Sequence, residues 1–164
     1  MIFFPLQECR LENLTDVNFK DCEFITILPK LWAPNLENLN LSYCKNLVKL
    51  GKLWAPKLGN LNLHHCENLV KILKSWTPNL EILFLRKCKN LVKLPKLRAP
   101  NFKSLNLFKC ENLVRLPKLS APTLEYLCPS FCRNLVEIEE CFGSLEKFEA
   151  WYLNHCENLQ ILPS

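Results

Sequence analysis

The sequence predicts a solenoid of short parallel β-strands, and three regularities along its 164 residues indicate this fold class. Apolar residues return at a fixed interval, as the stretches "PNLENLNLSYCKNLVKL" (34–50) and "PKLGNLNLHHCENLVKI" (56–72) show. Proline returns with them, at Pro34, Pro56, Pro78, Pro100 and Pro122. The third regularity is a column of cysteines at intervals of 22 residues and, at the last step, 24: Cys22, Cys44, Cys66, Cys88, Cys110, Cys132 and Cys156. A fixed period of this length is typical of chains whose repeats stack on their neighbours.

The first half of each repeat predicts a strand. Leu39 and Leu41 alternate with polar residues, which is typical of a strand with one buried face. The repeated pattern is LxxLxLxxCxxL, and its period falls within the 20–29 residues of leucine-rich repeats. We therefore predict a leucine-rich-repeat solenoid with the shape of a horseshoe or arc, whose concave face is a parallel sheet of about seven short strands. Residues 1–13 would form a partial N-terminal cap, and residues 14–164 an array of about seven units of 22–24 residues.

The second half of each repeat, such as "NLVKLPKLWAP", is too short and too rich in proline for a long helix. It predicts extended or short 3-10 segments on the convex side, little α-helix, and a second narrow sheet at "LVKL". The column Trp32, Trp54 and Trp76 is expected to pack under the loops. A column of asparagines is expected to turn the chain off the strand, by bonding nearby backbone and tolerating a left-handed conformation: Asn46, Asn68, Asn90, Asn112, Asn134 and Asn158.

The cysteine column is expected to hold reduced, structural thiols, because a row of equivalent cysteines has no preferred disulfide pairing and a buried thiol behaves as a small apolar group. Cys9, Cys128 and Cys141 lie outside the column and have no assigned role. The "HHC" at residues 64–66 and the "HC" at 155–156 resemble metal ligands, but four repeats separate them. A zinc ion needs four converging ligands, so we expect no metal site and no cofactor.

The residue after each cysteine alternates in sign along the chain. The column contains Glu23, Lys45, Glu67, Lys89, Glu111, Arg133 and Glu157. Neighbouring repeats would bring opposite charges side by side, and we expect this column to favour the correct stacking register.

Composition limits the classes of function. No run of 18 apolar residues predicts a membrane span, and "MIFFPLQECR" lacks the basic segment and the long apolar segment of a signal peptide. The expected location is therefore the cytoplasm, or the nucleus. With three glycines the chain has no glycine-rich phosphate loop, and it has no G-x-S-x-G motif, so we predict that it is not an enzyme.

The outward positions of the strand face vary between repeats and carry aromatic and basic residues, which are the usual anchors of protein interfaces. We predict a protein-binding surface there. Its candidate residues are Asn40, Ser42, Tyr43, Asn62, His64, His65, Phe84, Arg86, Lys87, Asn106, Phe108, Lys109 and Phe131.

A second candidate surface is basic, since residues 30–118 contain seventeen Lys or Arg and four acids. Two columns supply most of it: Lys49, Lys71, Lys93 and Arg115, and then Lys30, Lys52, Lys74, Lys96 and Lys118. Few aromatic residues are interleaved with them, so nucleic acid is not the expected ligand. A solvated face, or one that docks on an acidic protein surface, is expected instead.

The segment "LENLTDVNFKDCEFITILPKLWAPNLENLNLSYCKNLVKL" resembles the leucine-rich-repeat region of plant intracellular disease-resistance proteins. The resembling subclass carries a Toll/interleukin-receptor-like domain and a nucleotide-binding domain before its repeats. The motif is LxxLxLxxCxxLxxLP, matched at 14–29 with conservative replacements and at 102–117 with Phe102 in the first position.

The resemblance implies that the variable strand-face positions recognise a pathogen effector or a guarded host protein. It also implies that repeats near the N-terminal end can hold an adjoining nucleotide-binding domain inactive, and the basic columns are the candidate residues for that docking. Neither upstream domain is present in these 164 residues, so nucleotide binding is not carried over. Two alternatives stay open: a fragment of an extracellular leucine-rich-repeat receptor or inhibitor, supported by the sequons at Asn13 and Asn40, and a substrate adaptor of a ubiquitin ligase.

Overall fold

The computed structural model describes residues 9–139 and 147–162, and these two ranges contain fifteen short strands and no helix. Each strand is two or three residues long, as the short apolar alternation in each repeat predicts. In chain order the strands are β1 (Cys9–Arg10), β2 (Asp16–Asn18), β3 (Ile27–Leu28), β4 (Leu31–Trp32), β5 (Asn38–Asn40), β6 (Lys49–Leu50), β7 (Leu53–Trp54), β8 (Asn60–Asn62), β9 (Lys71–Ile72), β10 (Ile82–Phe84), β11 (Ser104–Asn106), β12 (Arg115–Leu116), β13 (Tyr126–Cys128), β14 (Glu137–Ile138) and β15 (Ala150–Trp151).

Parallel pairing makes the chain a β-solenoid with three sets of strands. Sheet 1 contains seven strands in the order β15-β13-β11-β10-β8-β5-β2. Sheet 2 contains two groups of strands, β3-β6-β9 and β12-β14. Lys93 connects the two groups, because it bridges to Lys71 on one side and to Arg115 on the other. Sheet 3 is β1-β4-β7. The seven-stranded sheet and the narrow sheet at "LVKL" are confirmed, whereas sheet 3 was not predicted.

The register of sheet 1 follows the sequence period. Leu39 pairs with Leu61, Leu61 with Leu83 and Leu83 with Leu105, so successive partners are 22 residues apart. These leucines point inward and are at most 5% exposed, while their neighbours in the strands face outward. Every coil adds a similar set of buried leucines to one continuous core, and each fully buried side chain contributes about 1.5–3 kcal/mol.

The cysteine column closes each coil onto the one before it. The Cys66 thiol donates a hydrogen bond to the Leu41 carbonyl at 3.1 Å, and Cys88 does the same to Leu63. Equivalent bonds are made by Cys44, Cys110, Cys132 and Cys156. All seven cysteines of the column are free thiols, as predicted. Burial raises the pKa of Cys66 to about 12, so this thiol stays protonated at neutral pH.

The turn after each strand differs from the prediction. The left-handed residue is not the asparagine but the residue immediately before each cysteine. These residues have φ near +60°: Asp21, Tyr43, His65, Lys87, Lys109, Phe131 and His155. The asparagines do bond between coils, as Asn46 Nδ2 to the Glu23 carbonyl (2.8 Å) and Asn90 Nδ2 to Asn68 Oδ1 (3.3 Å) show. The tight turn must bring each cysteine back inward, so the residue before it takes the left-handed conformation whatever its type.

The expectation that the tryptophans pack under the loops was wrong. Trp32 and Trp54 lie on the outer side of sheet 3, because their strand neighbours Leu31 and Leu53 occupy the inward positions. Their rings stack with centroids 5.2 Å apart, and Trp54 stacks on Trp76 at 5.3 Å. Trp76 is 52% exposed and ends this ladder.

Beyond β7, sheet 3 narrows to a single bridge between Trp54 and Trp76, in the repeat that lacks the inward leucine. Ser75 occupies the position held by Leu53 one coil earlier, and its hydroxyl accepts the Leu53 N–H (2.9 Å) and donates to the Leu73 carbonyl (3.0 Å). Ser75, Leu80 and Arg98 are among the residues around a cavity of about 30 Å³. The short side chain thus satisfies backbone groups but leaves the core locally underfilled.

The alternating column forms one ion pair among the described residues, between Lys89 Nζ and Glu67 Oε2 at 3.0 Å. Of the predicted N-terminal cap, residues 1–8 lie outside the described part, and Cys9 belongs to β1 and packs on the core. Cys141 also lies outside the described ranges. Within those ranges, no helix has the length and apolar character needed to cross a membrane.

Candidate functional site on the strand face

The strand face owes its shape to a repeated turn. Asn40 Oδ1 accepts the N–H of Ser42 at 3.0 Å, and Asn62 and Asn106 bond the residue two positions later in the same way. The next residue is left-handed, and its side chain meets the equivalent side chain of the neighbouring coil. Tyr43 and His65 stack in this manner, with ring centroids 4.6 Å apart. The turn therefore displays an array of variable side chains along the edge of sheet 1.

Three predicted residues form an aromatic and imidazole cluster at this edge. His64 contacts His65 edge-on at 4.4 Å and Tyr43 at 5.5 Å. Burial lowers the pKa of His64 to about 4, and the neighbouring His65 and Arg86 add to this effect. Burial and Lys87 also lower the pKa of His65, against the opposing influence of Glu67. Both imidazoles are consequently neutral at neutral pH and can donate and accept hydrogen bonds.

A second cluster joins cations to aromatic rings. The Arg86 guanidinium lies 4.9 Å from the centroid of the Phe108 ring. Lys109 Nζ lies 5.6 Å from the centroids of both Phe108 and Phe131, and those two rings meet edge-on at 5.2 Å. Contacts of this kind hold flexible cationic side chains in place while leaving their charge available to a partner.

Beside the second cluster lies an open cleft of about 250 Å³. Seven residues line it: Phe108, Tyr126, Cys128, Ser130, Phe131, Tyr152 and Asn154. Ser130 is buried and its hydroxyl donates to the Tyr152 carbonyl at 3.0 Å, which fixes the floor of the cleft to the last coil. The cleft is smaller than most pockets for free small molecules, and its size suits one large side chain of a partner.

Two tyrosines of this cleft were not among the predicted site residues. Tyr126 and Tyr152 lie with ring centroids 5.7 Å apart. Burial, with a hydrogen bond to the Cys128 side chain, raises the pKa of Tyr126 to about 12. Cys128 points to the outer side of sheet 1, yet it is 6% exposed because the cleft residues surround it. The outward position of Tyr126 in β13 was a usable signal, since the residues before and after an inward leucine face outward.

The structure separates the predicted strand-face residues into two groups. The first group contributes side chains to the surface. Two of its members, Phe84 and Arg86, are exposed, and the others are half-buried: Tyr43, His64, His65, Lys87, Phe108, Lys109 and Phe131. Ser42 was expected to be exposed, but it is 4% exposed because the turn holds this short side chain between coils. Asn40, Asn62 and Asn106 are half-buried, and their side-chain oxygens are used by the turn. These four positions are therefore structural parts of the face.

The predicted basic residues lie away from this face. Lys49, Lys71, Lys93 and Arg115 occupy one cross-strand row on sheet 2, and Glu137 ends the row by pairing with Arg115 at 3.3 Å. Lys49 is half-buried and the others in this row are exposed, as are Lys30, Lys52, Lys74, Lys96 and Lys118.

In residues 9–139 and 147–162, no group of three or more His, Cys, Asp or Glu side chains has the arrangement of a metal site. Comparison of the chain with protein-family models, with curated proteins and with solved structures gave no match.

Proposed function

We propose that this chain is a protein-recognition module that captures its partner on the strand face. The observation that carries the proposal is the joined aromatic and cationic surface of Arg86, Phe108, Lys109 and Phe131, with the open cleft beside it. Aromatic residues and arginine dominate the binding energy of protein interfaces when they are held in fixed positions. Rings and cations of this face are held by one another, so less side-chain entropy is lost when a partner binds.

The partner that fits this surface presents an acidic group next to a large apolar side chain. The apolar side chain enters the cleft between Phe131 and Tyr152, and its acidic neighbour meets Arg86 and Lys109. Charge complementarity of this kind contributes to specificity and to the rate of association. The role proposed is binding and not catalysis.

The finer identity proposed is a leucine-rich-repeat module of the plant-immunity type, which recognises a pathogen effector or a host protein and regulates a nucleotide-binding partner domain. Its support is the repeated LxxLxLxxCxxL pattern, with the leucines buried in one core and the variable positions outside.

A reducing compartment, the cytoplasm or the nucleus, is proposed for the protein. The seven column thiols are free, and six of them donate to carbonyl groups of the preceding coil, so oxidation would remove hydrogen bonds from the core. Asn40, one of the two sequons that favour an extracellular protein, is half-buried and its side chain bonds the turn. These two observations count against the extracellular alternative.

The test is quantitative capture with the full chain as bait in an extract of the source organism. The face variant carries Phe84→Ala, Arg86→Ala and Phe108→Ala, and the control variant carries Val70→Ala, Lys71→Ala and Val92→Ala on sheet 2. We expect a set of proteins that the wild type and the control variant retain and the face variant loses. Thermal unfolding by circular dichroism verifies that each variant folds.

Equal retention by the face variant would count against the strand face as the binding surface. A loss of the same proteins with the control variant alone would assign the binding to sheet 2.

A further inference from the structure

Two rows of cations run along the solenoid on and beside sheet 2. In the first row Lys49 pairs with Lys71 across the sheet, Lys71 with Lys93, and Lys93 with Arg115. The second row lies three residues further along each coil: Lys30, Lys52, Lys74, Lys96 and Lys118. Parallel strands are roughly 4.8 Å apart, so each backbone position in a row has a cationic neighbour at about that distance.

This arrangement is unfavourable for the fold alone, because like charges on directly paired residues repel each other. The same chain alternates the sign of its charges in the column after the cysteines, from Glu23 to Glu157. The repeat pattern thus accommodates alternating charges, and yet the two rows keep one sign over four and five coils. Stacking of the coils therefore does not account for that sign.

The ammonium groups of six of these lysines have no partner among the described residues. No carboxylate and no hydrogen-bond acceptor of residues 9–139 and 147–162 binds the side chains of Lys49, Lys52, Lys71, Lys74, Lys93 or Lys96. Five of the six are exposed and Lys49 is half-buried. The charge of these six lysines is therefore available to an external anion.

An apolar row runs beside the first cationic row. Val48, Val70, Val92 and Val114 immediately precede its four members, and they are 44%, 41%, 44% and 39% exposed. Apolar residues also lie beyond both ends of the first cationic row: Ile27 pairs with Lys49, and Ile161 bridges to Glu137, the acid that follows Arg115 in the row. Ile27 is 56% exposed and Ile161 is 50% exposed. The face therefore combines an extended set of positive charges with apolar side chains in water.

We propose that this face binds the anionic lipid headgroups of a membrane surface, so that the protein associates peripherally with the bilayer. An anionic surface extends in two dimensions and can neutralise both rows, and its interfacial region accepts the exposed valine and isoleucine side chains. A linear polyanion in water offers no partner to those apolar residues. The tryptophans near the second row are stacked on one another, so the ring faces between them are closed to nucleic-acid bases.

The test is sedimentation of the full chain with vesicles of phosphatidylcholine alone, and with vesicles containing about 30% phosphatidylserine. We expect binding to the anionic vesicles only, and weaker binding as the salt concentration rises from about 0.1 M to about 0.5 M. The row variant Lys52→Gln, Lys74→Gln, Lys96→Gln is expected to bind roughly 100-fold more weakly, since each lysine near an anionic surface contributes about fivefold.

A matched control removes the same amount of charge elsewhere. Lys45→Gln, Lys89→Gln, Arg133→Gln also takes three positive charges from a chain of net charge +5, but from the column after the cysteines. We expect it to bind the anionic vesicles like the wild type. The pair Val70→Ser, Val92→Ser is expected to weaken binding while leaving its salt dependence almost unchanged.

Three results would overturn the proposal: no preference for phosphatidylserine, equal losses in the row variant and the control variant, or binding to heparin or duplex DNA at protein concentrations that leave the vesicles unbound. Circular dichroism melting of each variant shows whether a loss of binding comes from unfolding.

Discussion

Replacement of one thiol in the cysteine column tests how the coils are joined. Cys88 is fully buried, and its Sγ lies 3.1 Å from the Leu63 carbonyl oxygen of the preceding coil. Cys88→Ala removes the thiol donor, but the Leu63 carbonyl still accepts the Cys66 N–H at 3.2 Å, so loss of the thiol hydrogen bond costs about 0.5–1.5 kcal/mol. The void left by the sulfur adds about 1 kcal/mol. We expect the free energy of unfolding to fall by about 1.5–2.5 kcal/mol in this variant.

Two further substitutions separate the hydrogen bond from the packing. Cys88→Ser keeps a donor but loses bulk, and a hydroxyl prefers a distance to its acceptor of about 2.7–2.8 Å, so we expect a smaller loss of about 1–2 kcal/mol. Cys88→Val keeps apolar bulk but has no donor, and we expect it to lose about 0.5–1.5 kcal/mol for the missing thiol hydrogen bond.

The assay is urea denaturation followed by circular dichroism under reducing conditions, with the slope of each transition compared between variants. Cys22→Ala is the control, because Cys22 begins the column, is half-buried and has no carbonyl acceptor for its thiol among the described residues. A Ser variant no more stable than the Ala variant would refute the role of the hydrogen bond. An equal loss in Cys22→Ala and Cys88→Ala would refute the coil-to-coil role of the buried thiols.

Three other predictions concern single positions. Gly51→Ala is expected to destabilise the protein by more than about 1 kcal/mol in urea denaturation. A Cβ at this position would lie 2.6 Å from the Leu28 carbonyl oxygen, and the backbones of Gly51 and Leu28 cannot move independently to relieve this contact. Lys89→Glu is expected to cost at most about 1 kcal/mol, since it replaces the 3.0 Å pair with Glu67 by repulsion between exposed groups, and added salt should reduce the loss. The pKa of His64 is lowered to about 4 from an unfolded value of about 6.5, so protons bind the unfolded chain more readily and stability should fall as the pH drops from 6.5 through 4. The urea midpoint of His64→Gln should therefore change less than that of the wild type between about pH 7.5 and about pH 5; an equal change would contradict the lowered pKa.

Much of the solenoid could be predicted from residues that repeat. Leu39 and Leu41 alternate with polar residues, and their recurrence every 22 residues was enough to predict the parallel strands of sheet 1 and their register. The inward cysteines follow from the same column, as Cys66 and Cys88 show. The 22-residue period determines which leucines and cysteines are buried, and this period can be read from the sequence.

The left-handed turn could not be predicted because the residue that adopts it differs in type from coil to coil. The residue with φ near +60° is Tyr43 in one coil, His65 in the next and Lys87 in the one after. None is glycine or asparagine, the residues that tolerate this conformation best. The conformation is imposed by the hydrogen bonds of the surrounding coils, which a single sequence does not reveal.

The cleft on the strand face escaped prediction for a similar reason. Cys128 stands at an outward position, and its burial depends on Tyr126 beside it and on Tyr152 one coil later. The step from Cys132 to Cys156 is 24 residues instead of 22, so the alignment of Tyr152 with its neighbours was obscured by the longer interval. Contacts between coils at a variable position depend on side chains that no repeat pattern specifies.

Successive 22-residue units pair in parallel throughout the described solenoid, and scalar couplings across individual backbone hydrogen bonds, measured by solution NMR, test this pairing most directly. The solenoid predicts couplings from the Leu41 N–H to the Asn62 carbonyl, from Leu63 to Phe84 and from Leu85 to Asn106, bonds of 2.8 Å in each case. Donor and acceptor are 21 residues apart in all three. Couplings that connect these amides to acceptors four residues earlier, as in a helix, or to partners of an antiparallel hairpin would contradict the fold and every surface assigned from it.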